Sequence, residues 1–541
     1  MGSLTARVRD GATSLRLLTA AGVVRPYRPT VLAGLAATLQ RWGSHPAGGF
    51  RTVALRMPDH LAIIDERGSL TYAQLHRRTN ALAHALAGRG VGPGDGVAVL
   101  CRNHRGFIEA SIAVSKLGAD VLYLNTAFAG PQLADVLERE RPRVVVHDEE
   151  FTDLLAGAPV ADRVLAWTEP SPGSERPDPD SLDGMILAGD EADLTPPERG
   201  GRTIILTSGT TGTPKGAPRP QGGVPAAVSL LSRMPLKAGW RCHVAAPLFH
   251  TWGFAHYQLA MLLGTTLVLS RRFDPEEALE LLDRHQCDSF AAIPVMLQRI
   301  LALPDEVLDA HPLPDLKVVA SSGSALPGDL PERWMDRFGD HLYSIYGSTE
   351  IAWASIATPA DLRAAPGTAG RIPHATVVRI LDHDGHEVPP GEPGRIFVGN
   401  GLQIEGYTGG GAKEVVDGLM ASGDVGRFGG DGLLYVEGRD DEMIVSGGEN
   451  VFPREVEDCL ASHPGIHEAA AVGVEDDDFG QRLRAFVVRE EGHDELSVDD
   501  LKEHVRAHLA RYKVPRDIEF VAELPRNATG KVLKRELVNR T

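Results

Sequence analysis

The chain of 541 residues has only four cysteines, Cys101, Cys242, Cys287 and Cys459, with no Cys-x-x-Cys pair among them. A disulfide framework or a zinc ribbon needs cysteines set closer together, so the expected compartment is a reducing cytoplasm. Long hydrophobic runs are missing too. The stretch Leu15–Val24 is broken by Arg16 and closed by Arg25, Pro26 and Arg28, which reads as neither a cleavable leader nor a membrane span. Positive charge is in deficit. A formal net charge of -18 repels a polyphosphate backbone and argues against nucleic acid as a partner. Also absent are the Gly-x-Ser-x-Gly elbow of serine hydrolases, the His-Glu-x-x-His zinc pair and the Gly-x-x-x-x-Gly-Lys-Ser/Thr loop. What remains is ordinary globular material, 43% hydrophobic and 24% charged, and too long for a single core, so at least two domains are expected.

From about Gly90 to Tyr346, short β-branched runs alternate with amphipathic ones. Strands are expected at Val97–Leu100, Arg143–Val146, Ile204–Leu206, Val244–Ala246, Thr265–Leu269, Ser289–Ile293, Lys317–Ala320 and Leu342–Ile345. Helices are expected at Pro275–His285, Pro294–Leu301 and Pro331–Phe338, each opening on a proline whose missing N–H costs nothing there. This is an α/β pattern of parallel sheets covered by helices. Residues 366–440 turn Gly- and Pro-rich, with strands at Val377–Leu381, Arg395–Val398 and Leu433–Val436, and read as a β-rich subdomain. Residues 441–541 read as a small α+β domain with strands Ala469–Val474, Leu483–Val488 and Ile518–Val521 and helix Val498–Ala510. The polar run Arg439–Glu442 is the joint. The first domain is then 1–440, with 1–50 an N-terminal extension. Residues 12–42 read as amphipathic helices docked on the chain's own core, with peripheral contact to a membrane surface as the second reading. A homodimer is left open.

Four polar clusters each follow a strand directly: Thr207–Gly216, Pro247–Gly253, Ser321–Leu326 and Tyr346–Glu350. In open α/β sheets ligands bind beyond the carboxyl ends of strands, so the four converge on one crevice. The first cluster runs Thr207, Ser208, Gly209, Thr210, Thr211, Gly212, then Thr-Pro before Lys215. Its glycines can turn N–H groups toward an anion, its hydroxyls add donors and its lysine adds charge, which is chemistry suited to a phosphate.

That cluster, Tyr346-Gly-Ser-Thr-Glu350, Ser422-Gly-Asp424, Tyr435–Arg439 and Pro525–Lys531 stand in the order and spacing of the adenylate-forming superfamily. The resemblance runs from about residue 51 to the end. It covers acyl-CoA synthetases, peptide-synthetase adenylation domains and firefly-type luciferases, and the chain is most similar to bacterial medium- and long-chain fatty-acyl-CoA synthetases. The resemblance implies ATP-dependent conversion of a carboxylic acid to an acyl-adenylate, then transfer to coenzyme A. It implies Lys531 as the principal catalytic cation, Glu350 as ligand to Mg²⁺, and Thr349 as a donor to the phosphates. Tyr346, with Gly347 and Ser348 beside it, would stack on adenine; Gly323, Ser324 and Ala325 would line it. Asp424 would hold the ribose hydroxyls and Arg439 the ribose or phosphate. His250 would stand at the acyl pocket, with a satisfied core histidine as the rival, and Trp252 would be pocket wall or simple core. Asp441 matches the hinge of a mobile C-terminal domain, which would exchange Lys531 for the coenzyme A segment Ser446, Gly447 and Gly448. Three rivals remain: a ligase loading a carrier protein, a ligase for an aromatic or sterol-derived acid, and a nucleotide-binding module without catalysis. The first carries an extra segment for which Ile351–Ser422 leaves no obvious room, and the last predicts decay at Lys531, Glu350 or Asp424, all present.

Overall fold

The computed structural model describes residues 4–43, 46–160, 162–168, 177–207, 214–219, 223–446, 449–476, 480–527 and 530–538. Two largely parallel sheets form the large N-terminal part. One has six strands, in the order Asp162–Trp167, Val144–Asp148, Gly96–Leu100, Asp120–Tyr123, Thr203–Leu206 and Gly216–Arg219. The other has eight, in the order Ala352–Ala357, Leu342–Ser348, Val318–Ser321, Ser289–Ala292, Arg241–Val244, Thr266–Val268, Leu61–Asp65 and Gly68–Thr71. Antiparallel partners occur only at their ends: Gly216–Arg219 in the first, Ala352–Ala357 and Gly68–Thr71 in the second.

Strand side chains alternate between two cores because both faces of each sheet are covered. Val97 and Val99 join Ile63, Leu267 and Ala291 in the core between the sheets, with helices Tyr72–Gly88 and Arg105–Lys116. Ala98 and Leu100 face a separate core on the far side, and Val268, Phe290 and Ala292 face a third. Local chemistry starts the helices where proline predicts. Asp274 caps Pro275–Arg284, its side chain accepting from Glu276 N and Glu277 N, and Pro294–Leu301 also opens on its proline.

A five-stranded antiparallel sheet follows, built on Val377–Leu381, Gly394–Gly399, Val415–Val416, Leu419–Phe428 and Leu434–Arg439. A single helical turn, Asp440–Glu442, leads into the small C-terminal domain. There the long strands Ile466–Asp476 and Gly480–Arg489 pair antiparallel, Asp517–Phe520 joins in parallel, and helices Pro453–Ala461 and Val498–His508 pack together beside them.

The strand expected at Leu433–Val436 runs Leu434–Arg439 and that expected at Ala469–Val474 runs Ile466–Asp476, and two further adjustments bear on the site. The strand expected at Val244–Ala246 spans Arg241–Val244, because Ala245 N and Ala246 N both donate to Ala291 O and the chain leaves the ladder there. The strand expected to stop at Ile345 continues to Ser348, held by the hairpin partner Ala352–Ala357. At the N-terminus, helices Leu4–Ala20 and Pro29–Trp42 form. Ala238 N and Lys237 Nζ donate to Ala21 O and Ala20 O, and Leu18 and Val23 pack on the core, while Leu15, Leu32 and Leu39 stay exposed. Among the described residues no helix is long and apolar enough to cross a membrane.

Candidate active site

Thr203–Leu206 delivers Thr207 to the sheet edge, and Gly216–Arg219 returns beside it. Thr207 N donates to Lys215 O at 2.9 Å, closing the base of this loop. The expectations for Ser208, Gly209, Thr210, Thr211 and Gly212 lie outside the described residues. Lys215 is exposed, its ammonium 5.3 Å from the centroid of the Tyr407 ring. Four residues beyond Lys215 stands Arg219, which sequence reasoning missed. Burial pushes its guanidinium down to about 10, against the pull of the Glu350 carboxylate. Burial first, and then Arg219, push His250 down to about 4, so its ring is neutral at pH 7.

The Tyr346–Glu350 motif sits where the strand Leu342–Ser348 turns back on itself. Gly347 has no alternative there, since a Cβ would lie 1.9 Å from Ala352 O. The Tyr346 hydroxyl donates to Asp424 Oδ2 at 2.5 Å, and burial together with that carboxylate pushes the phenol pKa well up. Asp424 lies opposite Arg439 in the antiparallel register, with Arg439 Nη1 3.4 Å from Asp424 Oδ1. Arg439 Nε reaches on to Asp441 Oδ1 at 3.1 Å. Burial pushes the Asp441 carboxyl up, but pairing with Arg439 and the charge of Lys531 hold it below its ordinary value. Ser422 Oγ accepts from Asp424 N at 3.0 Å, which fixes the aspartate's backbone.

Glu350 is oriented by two hydroxyls. Ser348 Oγ donates to Oε2 and the Tyr407 hydroxyl to Oε1, both at 2.9 Å. A carboxylate held this way is a hard oxygen donor, and that donor chemistry fits Mg²⁺. Thr349 Oγ1 lies 3.0 Å from Thr251 Oγ1, next to His250. Gly323, Ser324 and Ala325 form an exposed loop, with Gly323 at φ +102° and Ser322 Oγ pinned to Ile345 O at 2.9 Å. Trp252 goes elsewhere. It is buried in the core, its indole N–H shared between Ala292 O at 3.2 Å and Ala320 O at 3.3 Å, so it wedges two strand ends.

From the small domain comes a tight turn. Gly530 N donates to Asn527 O, Asn527 N to Lys531 O, and Lys531 N to Asn527 Oδ1 at 3.0 Å. Gly530 has φ +78°, and a Cβ on it would come within 2.7 Å of Val295 Cγ1 in the large domain. A cavity of about 870 Å³ lies between the two domains, lined by Thr207, Phe249, His250, Asp441, Arg526 and Lys531 among others. The structure thus gathers four of the expected residues around one space. Tyr346, Asp424 and Arg439 connect to it through Asp441. Ser446 ends the strand Ile444–Ser446, its side chain undescribed, and Gly447 and Gly448 lie outside the described residues. Tyr407 and Lys413 were also missed; Lys413 Nζ donates to Ser422 O at 3.1 Å. The signal for Arg219 was a charge in a short strand just past the lysine, whereas Tyr407 sits in a Gly-rich stretch with no pattern to flag it.

Comparison with known proteins gives a consistent answer. The model for "AMP-binding enzyme" matches residues 50–408, and that for "AMP-binding enzyme C-terminal domain" matches 455–531. A feruloyl-CoA synthase of Amycolatopsis sp is 35% identical over 495 residues, 90% of this chain and 97% of that protein. An indoleacetate–CoA ligase of Aromatoleum aromaticum is 35% identical over 504 residues, 89% of this chain and 96% of that protein. The crystal structure of the anthranilate CoA ligase AuaEII in complex with anthranoyl-AMP superposes with a TM-score of 0.83 at 25% identity, covering 92% and 96% of the two chains.

Proposed function

This chain belongs to the AMP-binding enzyme family, and from that premise we propose that it is an AMP-forming acid–coenzyme A ligase acting on an aromatic carboxylic acid. A carboxylate oxygen attacks the α-phosphorus of ATP, pyrophosphate leaves, and the acyl-adenylate forms. The thiol of coenzyme A then attacks the acyl carbon, loses its proton to solvent and expels AMP. The observation that carries this reading is the shared cavity: Lys531 from one domain lines the same space as Thr207 and His250 from the other. Its cation would balance charge growing on the α-phosphoryl, where a fixed ammonium costs no reorganisation.

The other roles follow from chemistry. Asp424, anchored through its own backbone N–H, offers carboxylate oxygens to paired ribose hydroxyls. Thr207, Lys215, Thr349 and Arg219 bring donors and charge to the triphosphate. When bound, Mg²⁺ would neutralise phosphate charge, and Glu350 is the residue assigned to hold it. Neutral His250 bounds the acid's site without a charge of its own to bury. The division at 440/441, and rotation of the small domain about Asp441 to admit the thiol, belong to the same reading.

For the acid, the sequence pointed to a medium- or long-chain fatty acid. The relatives' names, feruloyl, indoleacetate and anthranilate, favour a ring instead. A panel of aromatic and fatty acids, incubated with ATP with and without coenzyme A and resolved by mass spectrometry, decides it. Aryl-adenylates and aryl thioesters are expected. Thioesters of fatty acids alone would overturn the aromatic assignment, and adenylates without any thioester would overturn the ligase.

A further inference from the structure

Two neighbouring helices of the small domain carry side chains that ligase chemistry does not use. Cys459 stands on Pro453–Ala461, and His504 and His508 stand one turn apart on Val498–His508. Each of the three brings a ligand atom to within 4.8 Å of the other two. The His504 and His508 rings lie 4.4 Å apart, and His463 packs edge-on against His504 at 5.1 Å. Cys459 and His504 are partly accessible and His508 is exposed, so an ion can enter.

The hydrogen bonds fix which nitrogens are available. His504 Nε2 lies 3.0 Å from Cys459 O and 3.1 Å from Ser462 Oγ, and His508 Nδ1 2.8 Å from His504 O. A neutral imidazole that donates one N–H to a carbonyl carries its lone pair on the other nitrogen. His504 Nδ1 and His508 Nε2 are therefore free to bind. Donation of the second ring nitrogen to a carbonyl is how metal-ligating histidines are oriented.

Two other Cys, His and Asp groupings show the contrast. Around Cys101, His104 and Asp148 everything is sealed: His104 is fully buried, bonded to Asp148 Oδ1 at 2.7 Å and accepting from Gly106 N. Asp382, with Asp384 and His386 beside it, turns inward to accept from the backbone N–H groups of both neighbours. His104 thus has no ring nitrogen left for an ion, and the Asp382 group has no thiol.

We propose that Cys459, His504 and His508 bind one borderline-soft divalent transition-metal ion, of the zinc class, with water in the fourth position. One thiolate and two imidazoles suit Zn²⁺ or Co²⁺ and do not suit Mg²⁺. On binding, the thiol proton passes to solvent and the ion bridges the two helices. The site is independent of the ligase reading.

The test uses the full chain, stripped with a chelator and free of ATP and coenzyme A, titrated with Co²⁺. The expected result is a thiolate-to-cobalt charge-transfer band in the near ultraviolet that saturates at one equivalent and disappears on adding Zn²⁺. Co²⁺ held at Glu350 would give no such band, because no thiol stands there. Cys459→Ser should abolish the band, and His508→Gln, at an exposed position, should weaken Co²⁺ binding by about tenfold or more. No band in the parent chain, or a band unchanged in His508→Gln, overturns the proposal. The second variant decides the matter even if the first does not fold.

Discussion

Around Asp65 and Asp148 the fold encloses charge and answers all of it. Asp65 accepts from Arg67 N, Arg105 N and the Arg105 guanidinium, with Nη2 at 2.5 Å, and Asp148 accepts from Arg102 N and His104. Around Arg219, half-buried in the same large domain, the described residues leave the charge without a direct partner. Burial brings the Arg219 pKa down to about 10 against the opposing charge of Glu350, and His250 beside it is held neutral. A buried charge matched by the chain's own groups holds structure together, while one left unmatched is a standing demand for a ligand of opposite sign. Triphosphate is such a ligand. The comparison teaches that burial alone does not mark a site; incomplete pairing does.

Four substitutions or conditions sharpen or break it. Removing one partner from the matched group should cost most. Asp65→Ala leaves Arg105 buried without its carboxylate, and a loss of about 3–5 kcal/mol is expected in denaturant unfolding, with the KM for ATP unchanged in the folded fraction. A raised KM would blur the distinction between the two regions. Next, Lys531→Ala should slow adenylate formation by about 10²–10³-fold at unchanged Tm, while supplied acyl-adenylate still yields thioester. Pyrophosphate release measured beside thioester formation checks this, and equal loss in both halves would count against the separation of roles.

The third concerns pH. Burial pushes His256 down to about 4, so between pH 6.5 and 4 the unfolded chain takes up a proton that the folded chain refuses. Stability therefore falls as pH drops through that window, by about 2 kcal/mol at pH 5 for one ring. His256→Met should remove that share of the acid slope, seen as a smaller Tm difference between pH 7 and 5. The smallest effect belongs to Arg219→Met: about a tenfold rise in the KM for ATP, with stability unchanged or higher by roughly 1 kcal/mol, because an underpaired buried charge is gone. A destabilised Arg219→Met would show that this arginine belongs with the matched group after all.

Much of this was legible in the chain. Alternation such as Val97-Ala-Val-Leu100 told of a strand buried on both faces, and the polar clusters after each strand marked the crevice. Thr207 follows the end of Thr203–Leu206 as expected, whereas Tyr346 lies inside the longer strand Leu342–Ser348 and Asp424 inside Leu419–Phe428, where no strand was expected. What escaped reading depends on contacts between distant segments. Arg219 looks like any strand-end cation until Glu350, far along the chain, is brought near it. Trp252 could be wall or core until two carbonyls, Ala292 O and Ala320 O, claim its N–H. The early end of Arg241–Val244 is decided by one carbonyl, Ala291 O, taking two donors. No local pattern carries such information.

The turn before Lys531 carries one more consequence. With only a hydrogen where other residues have a methyl, position 530 seats flush against Val295 and Ile293. At this turn the small domain therefore meets the large one as backbone on side chain, with no room for a Cβ between them. Even the smallest addition, a single carbon at 530, would act as a shim between the two domains and displace the turn that carries Lys531.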